Sequence, residues 1–246
     1  SAKRTHYDLL MNLFKTGNVF PYFDELYSKL SWELGDKHKF YLFNLYTDEG
    51  MKMKMTKEEA LEAGGATDEF EFDYLFWSNR LCLNWENKIS TKLKNELTLY
   101  WGTGKGDFEF YMPEYPFSMK LKLQDYALRN DLTYELIHGH QFKTGVFALT
   151  APTDITYTYE WTEITPEDDK LVKKKFKEEF AYSGEPSYYA IYLWDKWKIL
   201  NPLTIDSGVR YEFYSPFKKS AITPRVSLSY AFDDLTTFKT SAGLYS

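Results

Sequence analysis

Residues 203–214 read Leu-Thr-Ile-Asp-Ser-Gly-Val-Arg-Tyr-Glu-Phe-Tyr, the clearest strand pattern in the sequence. Its aliphatic residues and Phe213 stand at odd positions, whereas the even positions carry polar or small residues until Tyr214. A period of two predicts a β-strand with one apolar face. The alternation also lasts longer than the roughly 5–6 residues of an average globular strand.

The same alternation recurs along most of the chain. It resumes after Pro216 and again after the acidic pair Asp233 and Asp234. The further segments with strand character are 26–34, 40–46, 81–85, 93–101, 126–134, 142–149, 188–199, 222–232 and 238–244. These patterns predict an all-β protein of about eleven strands.

Short and long connections alternate between the predicted strands. Short turns are expected near 35–37, 90–92, 138–140, 200–202 and 233–235. Long polar connections are expected near 47–70, 102–118 and 150–187, with a shorter one at 215–221. An antiparallel up-and-down transmembrane β-barrel has this alternation, because its periplasmic turns are short and its extracellular loops are long.

Two of the long connections carry local helix signals. A capping box runs from Thr56 to Glu59, with Gly64 and Gly65 as a stop. Residues 165–168 read Thr-Pro-Glu-Asp, which predicts a helix start ahead of 171–180. We therefore expect short helices in these two loops.

Composition supports a membrane barrel and disfavours other classes. Aromatic residues make up 19% of the chain, and barrels place such rings at both lipid boundaries. The mean hydropathy of −0.51 is compatible with a barrel, since alternate residues face a wet lumen. A net charge of −6 disfavours nucleic acid as a partner, and the single Cys82 allows no disulfide within the chain.

No motif predicts catalysis or a bound cofactor. The glycine-rich residues 102–106 lack P-loop spacing and a following helix, so we interpret them as an outer loop. His138 and His140 could share a metal, but no third ligand stands nearby in the sequence. With four histidines and no nucleophile–base pair, we expect no enzyme, no metal site and no cofactor.

Charged residues on the polar side of the predicted strands are the best functional candidates. Two interpretations stay open for each residue: contact with a transported ligand, or solvation of the lumen through cross-strand pairs. The candidates are Asp125, Arg129, Asp131, Asp206, Arg210, Glu212, Arg225 and Lys239. Cys82 has the parity opposite to its neighbouring leucines, so it is also expected to face the lumen.

Several stretches, taken in order, resemble the barrel of TonB-dependent outer-membrane receptors. They are residues 1–8, 192–199, 203–205, 208–211, 223–227 and 237–245. The resemblance implies part of a barrel of about 22 strands, located in the Gram-negative outer membrane and in contact with its lipid. It also implies uptake of a scarce nutrient, such as a metal chelate, a cofactor or a glycan.

The family pattern also includes a plug domain and an N-terminal segment that binds TonB. Neither matches residues 1–246, so we expect this chain to be a partial barrel domain whose plug and TonB contact lie elsewhere. One alternative is a passive pore or a structural barrel subunit. The other is a soluble all-β binding module.

Overall fold

The computed structural model describes residues 2–5, 19–62, 69–112, 115–136, 139–167 and 170–244. In these ranges thirteen strands form one antiparallel sheet. The strands are β1 (Ala2–Thr5), β2 (Val19–Leu34), β3 (His38–Met55), β4 (Phe70–Lys88), β5 (Leu93–Tyr111), β6 (Phe117–Glu135), β7 (His140–Thr150), β8 (Thr153–Glu167), β9 (Lys170–Gly184), β10 (Ser187–Lys198), β11 (Leu203–Tyr214), β12 (Lys219–Ala231) and β13 (Thr237–Gly243). The predicted fold class is confirmed, with two strands more than expected.

Each strand pairs with the next along the chain except around one hairpin. Residues 126–135 of β6 pair with β7, whereas residues 117–123 of the same strand pair with β8. Strand β9 pairs with β8, and β10 then returns to pair with β7. The β8–β9 hairpin therefore extends the sheet beyond the end of β7.

This hairpin contradicts the predicted loop at 150–187 and the predicted helix at 171–180. Pro166 lies near the end of β8, opposite Leu171 of β9. The segment 155–161 has a period of two with aromatic residues at 157, 159 and 161. That pattern, together with pairing to β6, favours strand over the local helix signal.

Strand also extends into the predicted loops at 47–70 and 102–118, since β3 runs to Met55 and β5 to Tyr111. Strands β4, β5 and β6 each have 19 residues, about twice the ~9–11 that cross a bilayer. The glycine-rich segment 102–106 lies inside β5, so its interpretation as a loop was wrong. The alternation simply continues through it to Phe110.

The predicted turns are confirmed where the structure describes them. Gly35 has a φ of +61°, which suits glycine in the tight turn between β2 and β3. The predicted capping box forms ahead of helix α1 (Lys57–Glu62), with the Glu59 backbone N–H 3.4 Å from Thr56 Oγ1. Gly64 and Gly65 lie outside the described residues.

The pairing register divides the side chains between two faces. The most buried side chains, Ser78, Asp131, Ala190 and Thr223, all lie on one of them. Side chains converge on the concave face of a curved sheet, so we call this the inner face and the opposite one the outer face. Among the described residues Ala190 is the sole buried hydrophobic residue, so no second layer covers the sheet.

Helix α1 is six residues long and a 3₁₀ turn covers Ser215–Phe217. No helix in the described ranges could span a membrane.

Candidate functional site

The outer face carries an apolar belt on the half of the sheet nearest the short turns. Its side chains are large and exposed: Leu193 is 50% exposed and Ile191 54%. The members on β4 to β6 and on β10 to β12 include Leu81, Leu97, Leu99, Leu128, Ile191, Leu193, Val209 and Val226. Exposed apolar surface of this extent requires an apolar solvent or partner.

Aromatic side chains border this belt at two levels. Three outer-face pairs each stand eight positions apart on one strand: Trp77 and Trp85, Tyr126 and Tyr134, and Tyr189 and Trp197. Eight residues at ~3.3 Å each span about 26 Å along a strand. At a tilt of ~40° this gives a height of about 20 Å, close to the apolar band of an outer-membrane barrel.

Rings of the lower level stack across neighbouring strands. Trp32 lies 5.1 Å from Phe40, and Phe40 lies 6.0 Å from Trp85. His140 stacks on Trp197 at 4.9 Å, and its Nδ1 lies 2.9 Å from Asp195 Oδ2. These contacts make a ring of aromatic groups beside the short turns, as at a lipid–water boundary.

All eight predicted charged candidates lie on the inner face. The register places Asp131 opposite Gly145, Gly145 opposite Tyr192, and Tyr192 opposite Arg210. Spacing and pairing give the same orientation to the other six, which are Asp125, Arg129, Asp206, Glu212, Arg225 and Lys239. Cys82 shares this face, opposite Tyr100 of β5.

Asp131 is the centre of the tightest polar cluster. Its Oδ2 accepts from Arg129 Nη2 at 2.9 Å and from Lys143 Nζ at 3.1 Å. The Tyr192 hydroxyl donates to Asp131 Oδ1. Gly145 lies beneath this cluster, where a Cβ would meet both the Asp131 carboxylate and the Tyr192 ring.

A second cluster continues the first along the inner face. Arg210 Nε lies 2.6 Å from Glu212 Oε1, and Arg210 Nη2 donates to the Tyr188 hydroxyl at 3.0 Å. The Arg210 guanidinium also lies 5.4 Å from the ring centre of Tyr192. Tyr192 thus connects the two clusters, and most of their charges are already paired.

The remaining candidates lie apart from these clusters. Asp206 and Lys239 line a groove of about 710 Å³ near the short turns, together with Lys196, Ser227 and Ser241. The Asp125 carboxylate packs over Gly102, where a Cβ would meet it. Arg225 is paired with Gly208 on one neighbouring strand and with Gly243 on the other.

Sequence reasoning missed an aromatic surface on the inner face of the distal half, the end away from the short turns. We call it the aromatic wall. It crosses β4, β5, β6, β8 and β9 and comprises Phe70, Phe72, Tyr74, Phe76, Phe108, Phe110, Phe117, Tyr157, Tyr159, Trp161, Phe176 and Phe180.

Rings of the aromatic wall contact one another across strands. Tyr74 and Phe108 lie 4.6 Å apart, and Tyr157 and Phe180 lie 4.9 Å apart. Gly106 leaves room for Phe76, since a Cβ there would lie 3.0 Å from the Phe76 ring. The sequence signal for the aromatic wall was the aromatic residue at every second position in 70–76 and 157–161.

No metal site is evident in the described part of the chain. Groups of three or more His, Cys, Asp or Glu side chains that could hold an ion do not occur there. His140 lies on the outer face beside Asp195, and His138 lies outside the described residues.

A family model confirms the architecture. The model for the TonB dependent receptor-like β-barrel matches residues 16–244. This chain belongs to the TonB-dependent receptor β-barrel family. Proteins of this family are transporters and receptors of the Gram-negative outer membrane, so the predicted location is confirmed.

Solved structures of the family share the fold at low sequence identity. The ferric citrate transporter FecA, in its unliganded form, is 13% identical with a TM-score of 0.64, over 92% of this chain and 36% of that chain. FpvA of P. aeruginosa, in complex with a pyoverdine and iron, is 10% identical with a TM-score of 0.57, over 89% and 34% of the two chains. BauA of Acinetobacter baumannii, a ferric preacinetobactin receptor, is 13% identical with a TM-score of 0.53, over 88% and 38%.

The chain spans about 36% of the length of FecA. No curated protein sequence matches it.

Proposed function

We propose that this chain forms part of the wall of a receptor that imports a chelated nutrient through the outer membrane with energy from TonB. The observation that carries the proposal is the apolar outer belt with two aromatic borders, on a chain that belongs to this family. Further strands complete the barrel, because β1 and β13 each have one neighbour within the described ranges.

The inner face is the lumen wall in this proposal. The Asp131 and Arg210 clusters hold the wall together through cross-strand pairs, and the aromatic wall contacts the ligand at the extracellular end. A plug domain and a TonB-contacting segment, supplied elsewhere in the receptor, close the lumen. The chain catalyses no reaction and binds no nucleic acid.

Charge on the inner face of β10 to β13 favours an anionic chelate over a neutral glycan. Six cationic side chains and two carboxylates point inward from β10 to β13. They are Lys196, Lys198, Arg210, Lys219, Arg225 and Lys239, against Asp206 and Glu212. A positive lining raises the local concentration of anions.

Uptake by cells tests the proposal. The full-length receptor is expressed in a strain that lacks it, with and without TonB, and is supplied with radiolabelled ferric citrate, a ferric hydroxamate and cyanocobalamin. We expect saturable accumulation of one of these probes that requires both the receptor and TonB.

Conductance separates uptake from the passive-pore alternative. A plugged receptor in planar bilayers should be nearly silent, whereas an open pore conducts steadily. Steady conductance together with uptake that is independent of TonB would establish the passive pore instead.

A further inference from the structure

Strand β9 has one edge that no other strand covers. Within the described ranges β9 pairs with β8 alone. The chain leads from β9 into β10, but β10 pairs with β7 and β11, and β11 ends at Tyr214, opposite Tyr188. No described strand therefore lies beside β9 on the side away from β8. We call this side the free edge.

The free edge lies in water, beyond the membrane. The β8–β9 hairpin joins the sheet at residues 117–123 of β6, on the distal side of the upper-border residue Tyr126. Residues 173–183 of β9 are all exposed. An open strand edge is excluded from hydrocarbon, whereas in water it is a template for an additional strand.

One hydrogen bond determines which backbone groups of β9 point to the free edge. The Glu160 N–H of β8 donates to the Pro116 carbonyl at 3.0 Å, and so points toward β6. Successive residues of a strand direct their N–H and C=O groups to opposite sides, so the odd-numbered residues of β8 bond to β9. The register pairs these with even-numbered residues of β9, such as Tyr159 with Glu178. The odd-numbered residues of β9 thus direct their N–H and C=O groups to the free edge.

Nothing in the sequence of β9 interrupts this row of backbone groups. The strand contains no proline, so every residue keeps its N–H donor. Between 175 and 183 the residues that face the free edge are Lys175, Lys177, Glu179, Ala181 and Ser183. A row of this length can hold an extended peptide through main-chain hydrogen bonds.

The side chains along the free edge favour an acidic partner. Residues 171–184 hold four lysines and two glutamates, although the whole chain has a net charge of −6. Lys177 Nζ lies 3.3 Å from Glu160 Oε1, whereas Lys175 stands opposite Thr162 and forms no ion pair within the described residues. Lysines on an edge strand discourage pairing with a strand of like charge, and a directly opposed carboxylate would pair with them.

The other face of β9 offers apolar contacts to the same added strand. Its even-numbered residues include Phe176 and Phe180 of the aromatic wall, and Phe180 is 50% exposed. Side chains of a strand alternate between the two faces. In an added strand, the residues between the acidic ones would therefore lie against these rings.

We propose that the free edge of β9 binds an extended segment of another protein outside the cell, which joins the sheet as a further antiparallel strand. The segment carries acidic residues opposite Lys175 and Lys177 and apolar residues against Phe176 and Phe180. This interaction rests on the sheet and on its orientation in the outer membrane. A failure of TonB-dependent uptake therefore leaves it standing.

Titration of the full-length receptor in detergent with a labelled peptide, followed by fluorescence anisotropy, tests the proposal. The probe is Thr-Val-Thr-Val-Glu-Val-Glu-Val-Thr-Val-Thr, which places two carboxylates on one face and valines on the other. One control peptide is N-methylated at the two glutamates, whose N–H groups would bond to β9. A second is N-methylated at the two valines that flank the central valine on either side of the glutamates, whose N–H groups would point away.

Three receptor variants separate charge from backbone pairing. Lys175→Glu reverses one charge at the free edge. Lys120→Glu is the matched control, because Lys120 is exposed on the outer face of β6, which is paired on both sides at this position. Ala181→Pro removes one edge-facing N–H without a change in charge. Retention of the folded form on unheated gels verifies that all three variants assemble.

We expect the wild type and Lys120→Glu to bind the probe with equal affinity. Lys175→Glu should weaken binding by roughly tenfold, since attraction becomes repulsion. Ala181→Pro should weaken it by roughly threefold to tenfold, the effect of one main-chain hydrogen bond. Methylation at the glutamates should weaken binding far more than methylation at the valines.

Hydrogen exchange resolved to single residues gives a second measurement on the same complex. Bound probe should slow exchange at the amides of Lys175 and Lys177. The amides of Phe176 and Glu178 should exchange as before, because they are already bonded to β8.

Four results would overturn the proposal. One is the absence of binding by the wild type at millimolar probe. Another is equal affinity for the two methylated peptides, which would show adsorption by charge alone. The third is slow exchange at Lys175 and Lys177 in the monomeric receptor without probe, which would show that the receptor covers this edge itself. The fourth is protection of these amides through a receptor dimer, which would make a second copy the occupant.

Discussion

The two halves of strand β4 carry their apolar side chains on opposite faces. Near the short turn its apolar residues, such as Leu81 and Leu83, point outward, whereas its distal residues, such as Phe72 and Phe76, point inward. The alternation of side chains between the two faces is continuous along β4. The apolar residues change from the outer to the inner face at Trp77. The surrounding solvent, hydrocarbon below Trp77 and water above it, therefore selects which parity is apolar.

The largest expected effect comes from placing a charge on the outer face of the membrane-spanning half, compared with the same charge on the inner face. Leu99→Arg puts a guanidinium on the outer face between Leu83 and Leu128, inside the apolar belt. We expect a loss of about 2–4 kcal/mol in the free energy of unfolding, measured by denaturant titration in lipid vesicles.

Thr98→Arg is the matched control, because Thr98 lies on the inner face one residue earlier. It should cost much less, since the guanidinium meets water on the inner face, even with Arg129 directly opposite. Equal losses for the two variants would contradict the assignment of faces.

Substitution of Asp131 tests whether its ion pairs stabilise the inner face of the same half. Asp131→Ala leaves Arg129 and Lys143 facing each other without their shared carboxylate. We expect a loss of about 1–3 kcal/mol in the same titration. Asp206→Ala should change stability far less, because Asp206 lines an open groove. Similar losses for both would show that the cluster does not stabilise the sheet.

The distal half gives a third test, in which adjacent aromatic residues point to opposite faces. Phe110 belongs to the aromatic wall, and Tyr111 lies on the outer face, 50% exposed. Phe110→Ala should weaken binding of the accumulated probe by roughly threefold to tenfold, the effect of about one ring contact. The measurement is titration of purified receptor with that probe.

Tyr111→Ala should leave the affinity of the probe unchanged within twofold. A larger effect of Tyr111→Ala than of Phe110→Ala would place the ligand on the other face and reverse the comparison.

The smallest effect is expected at the turn between β12 and β13. Asp233 Oδ1 accepts from the backbone N–H groups of Leu235 at 2.8 Å and Thr236 at 2.6 Å. These bonds to the charged form lower the pKa of Asp233 below its ordinary value of 3.8. The stabilisation is therefore present above pH 3.8 and is lost as pH falls through the lowered pKa.

Asp233→Ala should remove this acid-dependent component from the unfolding midpoint measured between pH 2 and pH 6. Asp234→Ala should retain it. A profile that is the same for wild type and Asp233→Ala would exclude this contribution.

How far the sequence predicts the fold differs between regions. The strands after Leu203 alternate cleanly, so their bounds, turns and faces follow from local pattern alone. Strand β4 carries apolar residues on both parities, and sequence cannot orient such a strand without knowing where the solvent changes. The aromatic wall was missed for this reason.

The β8–β9 hairpin was missed because its local signals point the wrong way. Residues 165–168 favour a helix start by capping chemistry, but pairing of β8 with residues 117–123 of β6 decides the outcome. The polar clusters of the inner face also depend on long-range pairing that the local sequence does not reveal. The candidate charges were predicted by parity, whereas their partners Lys143 and Tyr192 are distant in sequence and depend on register.

Thiol labelling of alternate residues tests whether one face of the sheet meets lipid and the other meets water. In single-cysteine receptors assembled in outer membranes, a charged, water-soluble thiol reagent is applied to the native Cys82 and to cysteines at Leu81, Leu97 and Thr98. Cys82 and the cysteine at Thr98 should react, because they face the wet lumen, and those at Leu81 and Leu97 should not, because lipid covers them. Labelling of the two leucine positions in preference to Cys82 would contradict the account.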